Sequence, residues 1–293
     1  MGKSNRSPSG VFPHPLLPPD NHRVRIIVTG GNSGVGKATA AALAAAGHSV
    51  VIACRTIPKA EQAAAAMTGD VEVAGLDLAD LASVRTFAAS IGDADVLINN
   101  AGVMGLPLTR TVDGFEAHFG INHLGHFALT CLLADKISDR VISVTSAMYA
   151  MSNLHLDDLN SHTRPYSKWA AYGESKLAIL LFTAELARRG VRAYASDPGA
   201  TDTDIYRDAT GLVRWAEKIP GSRFLTHTPE QGARASIQAV STDQPSGTYF
   251  APRFNQWGKP KVAKLRAKAV DPVVAAKLWQ QSVELTGCDW PTA

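Results

Sequence analysis

Val24-Arg-Ile-Ile-Val-Thr29, Gly30-Gly31-Asn32-Ser33-Gly34-Val35-Gly36 and Lys37-Ala-Thr-Ala-Ala-Ala-Leu-Ala-Ala-Ala46 follow one another without a break. The first run is short and β-branched, which suits a strand. The third consists of strong helix formers and meets Gly47, the residue type that stops a helix at C′. Strand, glycine loop, helix is the context in which a glycine loop acquires meaning. Glycines let the backbone approach a pyrophosphate. The N-terminus of the helix that follows offers unpaired N–H groups and a partial positive charge. A glycine-rich βα turn without a ligand is the alternative, and the correct flanking elements weigh against it. Gly30, Asn32, Ser33, Gly34, Val35 and Gly36 are therefore candidate cofactor contacts.

Working outward, residues 49–54 read as a second strand with Arg55 directly after it. A dinucleotide-binding fold reads the adenosine ribose at this point. A carboxylate bonds the 2′-OH of NAD, whereas an Arg accommodates the 2′-phosphate of NADP. No Asp or Glu stands between Gly47 and Arg55, so NADP(H) is the expected cofactor, with Asn32, Ser33, Lys37 and Lys59 as helpers. A plain surface charge is the other reading of Arg55. Residues 71–76 read as a third strand ending in Asp77-Leu78, where Asp77 either bonds the adenine amino group or caps the helix of residues 80–90. A fourth strand, 95–98, leads to Asn99-Asn100-Ala101-Gly102. Small residues there leave room for a cofactor ring, and Asn side chains tie strand ends together.

Residues 113–137 read as one long helix carrying Asn122, His123 and His126. Asn is a poor helix former in mid-helix, so Asn122 invites an explanation. The histidines lack a carboxylate partner motif and are expected to be packed or hydrogen-bonded; no metal site is expected. Residues 140–146 form a fifth strand. Ligands of open α/β sheets lie beyond the carboxyl ends of the strands, which places Ser146 beside the cofactor. A loop (148–165), a helix, a sixth strand (191–195), a helix (230–240), a seventh strand (247–250), a solvated basic stretch (259–268) and a terminal helix (272–285) complete the chain. The expected fold is α/β: a single Rossmann-type doubly wound domain over residues 23–293, with a largely parallel seven-stranded sheet flanked by helices. Residues 1–22, with Pro8, Pro13, Pro15, Pro18 and Pro19, read as a flexible arm. Residues 200–229 read as a substrate lid or as an ordinary helical excursion.

Hydrophobic residues make up 45% of the 293, enough for a full core, and a net charge of +3 without a basic block argues against nucleic acid. The three cysteines are widely spaced and suit a reducing compartment. No apolar run reaches the length of a membrane span. A cytoplasmic protein is the expectation.

Tyr172-Gly-Glu-Ser-Lys176 opens the Ala/Leu-rich helix. Residues four apart share a helix face, so a phenol and an ammonium stand side by side. The ammonium favours the phenolate, giving a tyrosine able to exchange a proton near neutral pH. By itself this pattern also fits a half-buried Tyr and a snorkelling Lys.

In order along the chain, the Thr29-Gly30-x-x-x-Gly34-x-Gly36 loop, Asp77, Asn99-Asn-Ala-Gly102, Asn122, Ser146, Tyr172, Lys176 and Pro198-Gly199 with Thr203 resemble the motifs of the short-chain dehydrogenase/reductase family. Ala53-Cys-Arg55, Asp113-Gly-Phe-Glu116, Ile121-Asn-His-Leu-Gly-His-Phe127 and Leu159 with the long loop before Tyr172 are most similar to its retinol dehydrogenase, WW-domain oxidoreductase and protochlorophyllide reductase branch. The resemblance implies Asn122, Ser146, Tyr172 and Lys176 as catalytic residues. It implies cofactor contacts from the glycine loop, Arg55, Asp77, Leu78, Asn99, Ala101, Gly102, Tyr172, Lys176, Pro198, Gly199, Thr201 and Thr203. It further implies NADP(H) and a small apolar carbonyl or alcohol substrate, with Asn122 holding a water that links Lys176 to solvent. Family members are often dimers or tetramers, so a homo-oligomer is expected, with a monomer left open. C=C reduction, or NADP(H) binding without turnover, are the alternatives. Asp197 stands before Pro198-Gly199 where the branch usually has another residue.

Overall fold

The strand-like runs lie side by side in one sheet. The structure, a computed structural model, describes residues 23–201, 227–254 and 258–291. The expected arm and the greater part of the expected lid, with Thr203, lie outside the described residues. The strands are β1 (Arg25–Thr29), β2 (Ser49–Cys54), β3 (Asp70–Gly75), β4 (Ala94–Asn99), β5 (Ile137–Val144), β6 (Arg192–Ser196), β7 (Tyr249–Pro252) and β8 (Pro260–Ala263). Their spatial order is β3-β2-β1-β4-β5-β6-β7-β8, and every pair is parallel except β7 with β8.

The helices are α1 (Gly34–Ala45), α2 (Ile57–Ala65), α3 (Leu81–Ser90), α4 (Ala117–Phe119), α5 (His126–Leu132), α6 (Lys168–Arg188), α7 (Pro229–Val240) and α8 (Pro272–Thr286). Alternate residues of the central strands feed two cores. Ile27, Val51 and Leu97 pack with Phe87 of α3, Phe127 of α5, Phe182 of α6 and Trp279 of α8. Ile26, Val28, Ile52 and Ile98 pack with Leu43 of α1, Ala60 of α2 and Ala239 of α7. Burial on both faces explains why these strands are continuous apolar runs rather than alternating ones.

Among the described residues the sheet has eight strands, not seven. The basic stretch expected as solvated surface contains β8, whose Lys261 and Val262 are exposed. An edge strand with exposed residues gives no alternating apolar signal, and lysines are what blunts such an edge. The long helix expected over residues 113–137 is also corrected. Glu116 caps α4 by accepting from His118 N and Phe119 N; a π-helical turn, Gly120–Gly125, joins α4 to α5, and β5 already begins at Ile137. Between β2 and β3 lies α2, which the sequence reading passes over. The helix bearing Tyr172 starts earlier than expected, at Lys168, with Ser167 as its cap.

Candidate active site

Two groups of residues meet along the carboxyl ends of the parallel strands. At the first, Gly30 N donates to Ala53 O (2.8 Å), which joins the glycine loop to β2. Thr29 Oγ1 accepts from Asn100 N and Ala101 N (both 2.9 Å), and Asn100 Nδ2 donates to Thr29 O (2.8 Å). The β1 loop and the β4 loop are thus locked together. Ser33 occupies the N-cap of α1, but its hydroxyl makes no capping bond and the first turn carries no acidic residue. An uncapped N-terminus without a negative charge is suited to an anion such as a pyrophosphate. Arg55 and Lys59 are exposed at the end of β2 and on α2.

Gly36 makes this turn possible. A Cβ at that position would lie 2.3 Å from Asn100 Nδ2 and 2.5 Å from Gly30 O. Gly36→Ala is expected to force the two loops apart and to cost about 1–3 kcal/mol of stability, read as a lowered thermal midpoint together with weakened nucleotide binding. An unchanged midpoint would show that the loops yield at no cost.

Asp77 does not cap α3. Its Oδ1 accepts from Ala79 N (2.9 Å), and Asp80 is the cap, accepting from Ala82 N (2.8 Å). The Leu78 side chain is buried in the core beneath α5. Asn99 is buried with its Nδ2 donating to Thr130 Oγ1 (3.0 Å), so its amide serves α5. Val35 and Ala101 are half-buried at the loops. On the far side, Thr201 Oγ1 donates to Pro198 O (3.0 Å) and Gly199 N donates to Asp197 Oδ1 (2.8 Å), shaping the turn after β6.

The second group surrounds Lys176. Its Nζ is buried, donates to Val144 O (3.0 Å) and lies 5.6 Å from the centre of the Tyr172 ring. A Cβ at Gly102 would be 3.1 Å from Asn122 Oδ1 and 3.6 Å from Lys176 Nζ, so the β4 loop, the π turn and α6 converge here. Burial pushes the Lys176 ammonium down to about 8, against the opposing pull of the Asp197 charge. Ser146 is half-buried at the end of β5, its Oγ accepting from Met148 N (3.4 Å). Gly173 lets α6 press against this turn, since a Cβ there would meet Ser152 Oγ at 2.2 Å and Met148 O at 2.9 Å.

Asn122 ties the β4 loop to α6. Its Oδ1 accepts from Val103 N (2.8 Å), while Nδ2 donates to Val103 O (3.0 Å) and Ser175 Oγ (2.9 Å). Both amide hydrogens are used, and an oxygen lone pair is what remains for a water. The π turn explains how an Asn is tolerated in mid-helix. His126 bonds Asn122 O (3.0 Å) and Thr29 Oγ1 (2.9 Å), and His123 Nε2 bonds Ser282 Oγ (2.8 Å), so both histidines are hydrogen-bonded within the protein.

Three residues beside Tyr172 escape sequence reasoning. Leu106 N donates to His118 Nε2 (3.3 Å), which assigns the ring hydrogen to Nδ1 and makes it a donor to Glu116 Oε1 (2.8 Å). Tyr166 OH donates to the same oxygen (2.9 Å). Burial works to raise the Glu116 carboxyl, but the bonds from His118 and Phe119 N outweigh it and hold the group below the usual carboxylate range. The His118 ring stands edge-on to Tyr172, centroids 6.2 Å apart. Through His118 the cluster packs against Tyr172. The Glu116-x-His118 spacing is its one local signal; Tyr166 is fifty positions away.

The family model for short chain dehydrogenase matches residues 24–211. The chain belongs to the short-chain dehydrogenase family. Within that family of oxidoreductases it falls in the retinol dehydrogenase-like branch. It is 40% identical to human retinol dehydrogenase 13, over 91% of this chain and 86% of that protein. It is 38% identical to human polyprenol dehydrogenase, over 95% and 89% respectively. Among solved structures, an uncharacterized protein from Mycobacterium paratuberculosis superposes with a TM-score of 0.81 at 43% identity, covering 92% of this chain and 95% of that one. A short chain dehydrogenase from Burkholderia cenocepacia in complex with NADP gives 0.59 at 26% identity, covering 77% and 94%. Among the described residues of this short-chain dehydrogenase, no helix is long and apolar enough to cross a membrane, and no three His, Cys, Asp or Glu side chains form a metal-binding group.

Proposed function

We propose that this short-chain dehydrogenase uses NADP(H) to interconvert an apolar ketone or aldehyde and its alcohol, with Tyr172 as general acid and base. The observation that carries this reading is the buried Lys176 ammonium, 5.6 Å from the Tyr172 ring and close to Asn122, at the carboxyl end of the sheet. The nicotinamide supplies or accepts the hydride when bound. Tyr172 gives a proton to the carbonyl oxygen or takes one from the alcohol. Lys176 favours the phenolate and orients the nicotinamide ribose. Ser146 donates to the substrate oxygen and stabilises developing charge. Asn122 fixes the β4 loop against α6 so that these groups keep their spacing.

NADP(H) is supported by Arg55, exposed at the end of β2 with no acidic residue in that strand. Glycine-loop backbone N–H groups at α1 would hold the pyrophosphate, and Asp77 the adenine. An apolar substrate is supported by the retinol and polyprenol dehydrogenases among the relatives, and by Met151, 83% exposed on the turn that follows Ser146.

The reading is tested by following NADPH depletion with steroids, retinoids, aromatic ketones, quinones and aliphatic aldehydes, and identifying the products. Alcohol products from an apolar subset are expected. Tight NADPH binding without oxidation of any of them would indicate a binding protein, and saturated carbonyl products a C=C reductase. The pH profile adds a check. Lys176 titrates near 8, so carbonyl reduction, which needs the ammonium, is expected to lose kcat/KM as pH rises through that value. A flat profile across that range would remove Lys176 from the chemistry.

A further inference from the structure

Asp197 is a buried carboxylate, 1% exposed, to which the chemistry above gives no role. Its Oδ1 accepts from Gly199 N (2.8 Å) and its Oδ2 from Tyr249 OH (2.9 Å), and it also takes a bond from the backbone of Ala147. Ala147 directly follows Ser146, Gly199 lies in the turn after β6, and Tyr249 opens β7. One side chain therefore joins three walls of the site. All three partners are donors, which suits an acceptor-only carboxylate and mismatches an amide. The Lys176 ammonium on α6 is the positive charge that acts on it, and Tyr249 on β7 is the titratable group bonded to it. Tyr149, in the turn after β5, stands edge-on to Tyr249 with centroids 6.4 Å apart. Buried charges persist when hydrogen-bonded and compensated: Asp197 accepts from Gly199 N and Tyr249 OH, Lys176 donates to Val144 O, and each charge favours the charged form of the other.

We propose that Asp197 is a positioning residue of the oxidoreductase: its carboxylate fastens the Ser146 turn to the Pro198-Gly199 turn and supplies the counter-charge of the Lys176 ammonium. The proposal rests on the reading of Lys176 as the group attending Tyr172. Asp197→Asn keeps the size and removes the charge, and Asp197→Ser removes the charge with less bulk. The Lys176 signal in protein labelled with 13C and 15N at lysine, assigned with Lys176→Met, is titrated against pH in wild type and variants. The midpoint is expected to move to lower pH by about half a unit or more, a threefold or larger fall in proton affinity. With any substrate that passes the screen, the basic limb of kcat/KM moves in the same direction and kcat falls about tenfold or more, while NADPH affinity changes less. An unchanged Lys176 midpoint in a folded variant overturns the proposal, and failure of both variants to fold counts against it in favour of a purely structural role. Absence of turnover in the wild type bears on the oxidoreductase reading alone, because the titration needs no substrate.

Discussion

Tyr172→Phe is expected to lower turnover by about 10²–10⁴-fold, the usual contribution of a positioned general acid or base, or about 3–5 kcal/mol of barrier. NADPH affinity should stay within about threefold of wild type, because the part of Tyr172 that packs is its ring. The side chain is 5% exposed, its ring makes a T-shaped contact with His118 and its face lies under the Lys176 ammonium. Phenylalanine fills the same space and keeps both contacts, so the loss isolates the hydroxyl. Steady-state NADPH oxidation with the best substrate of the screen, alongside a fluorescence titration of NADPH, makes the measurement. Turnover within tenfold of wild type would move the proton to another group.

Arg55→Ala is expected to weaken NADPH by about 10–100-fold, corresponding to about 1.5–3 kcal/mol for hydrogen bonds between charged groups, and to leave NADH within about threefold. Arg55 is exposed just past β2, so its removal opens no cavity and should leave the thermal midpoint in place. The informative quantity is the ratio of the two dissociation constants. Equal weakening of both cofactors would refute a role at the 2′-phosphate and make Arg55 an ordinary surface charge.

The readings that agree with the structure are those whose evidence lies close together in the chain. Val24 to Gly47 can be read as β1, loop and α1 because strand and helix propensities change abruptly at a glycine loop. The errors have physical causes of a matching kind. Residues 113–137 show a helical pattern interrupted by Gly120, Asn122 and Gly125, yet Glu116 ends the irregular stretch by capping α4, a π turn spans those residues, and the chain leaves α5 at Leu132 to enter the sheet. β8 carries charge because it is an edge strand. Asp77 and Asp80 look alike as caps in sequence, and only the bond from Ala82 N separates them.

The sequence by itself determined the doubly wound α/β class, the glycine loop and the pairing of Tyr172 with Lys176. The loop and the pair depend on residues a few positions apart, where helix period, strand composition and turn chemistry act directly, and the class follows from the alternation of such local elements along the chain. The tertiary structure decided what surrounds that pair. It brought Gly102, Asn122 and Lys176 together, placed the Glu116–His118–Tyr166 cluster against Tyr172, and buried Asp197 where it joins Ala147, Gly199 and Tyr249. These contacts join segments up to 74 positions apart, as from Gly102 to Lys176. They form because parallel strands place the ends of successive βα units side by side, a juxtaposition that leaves no periodicity in the chain.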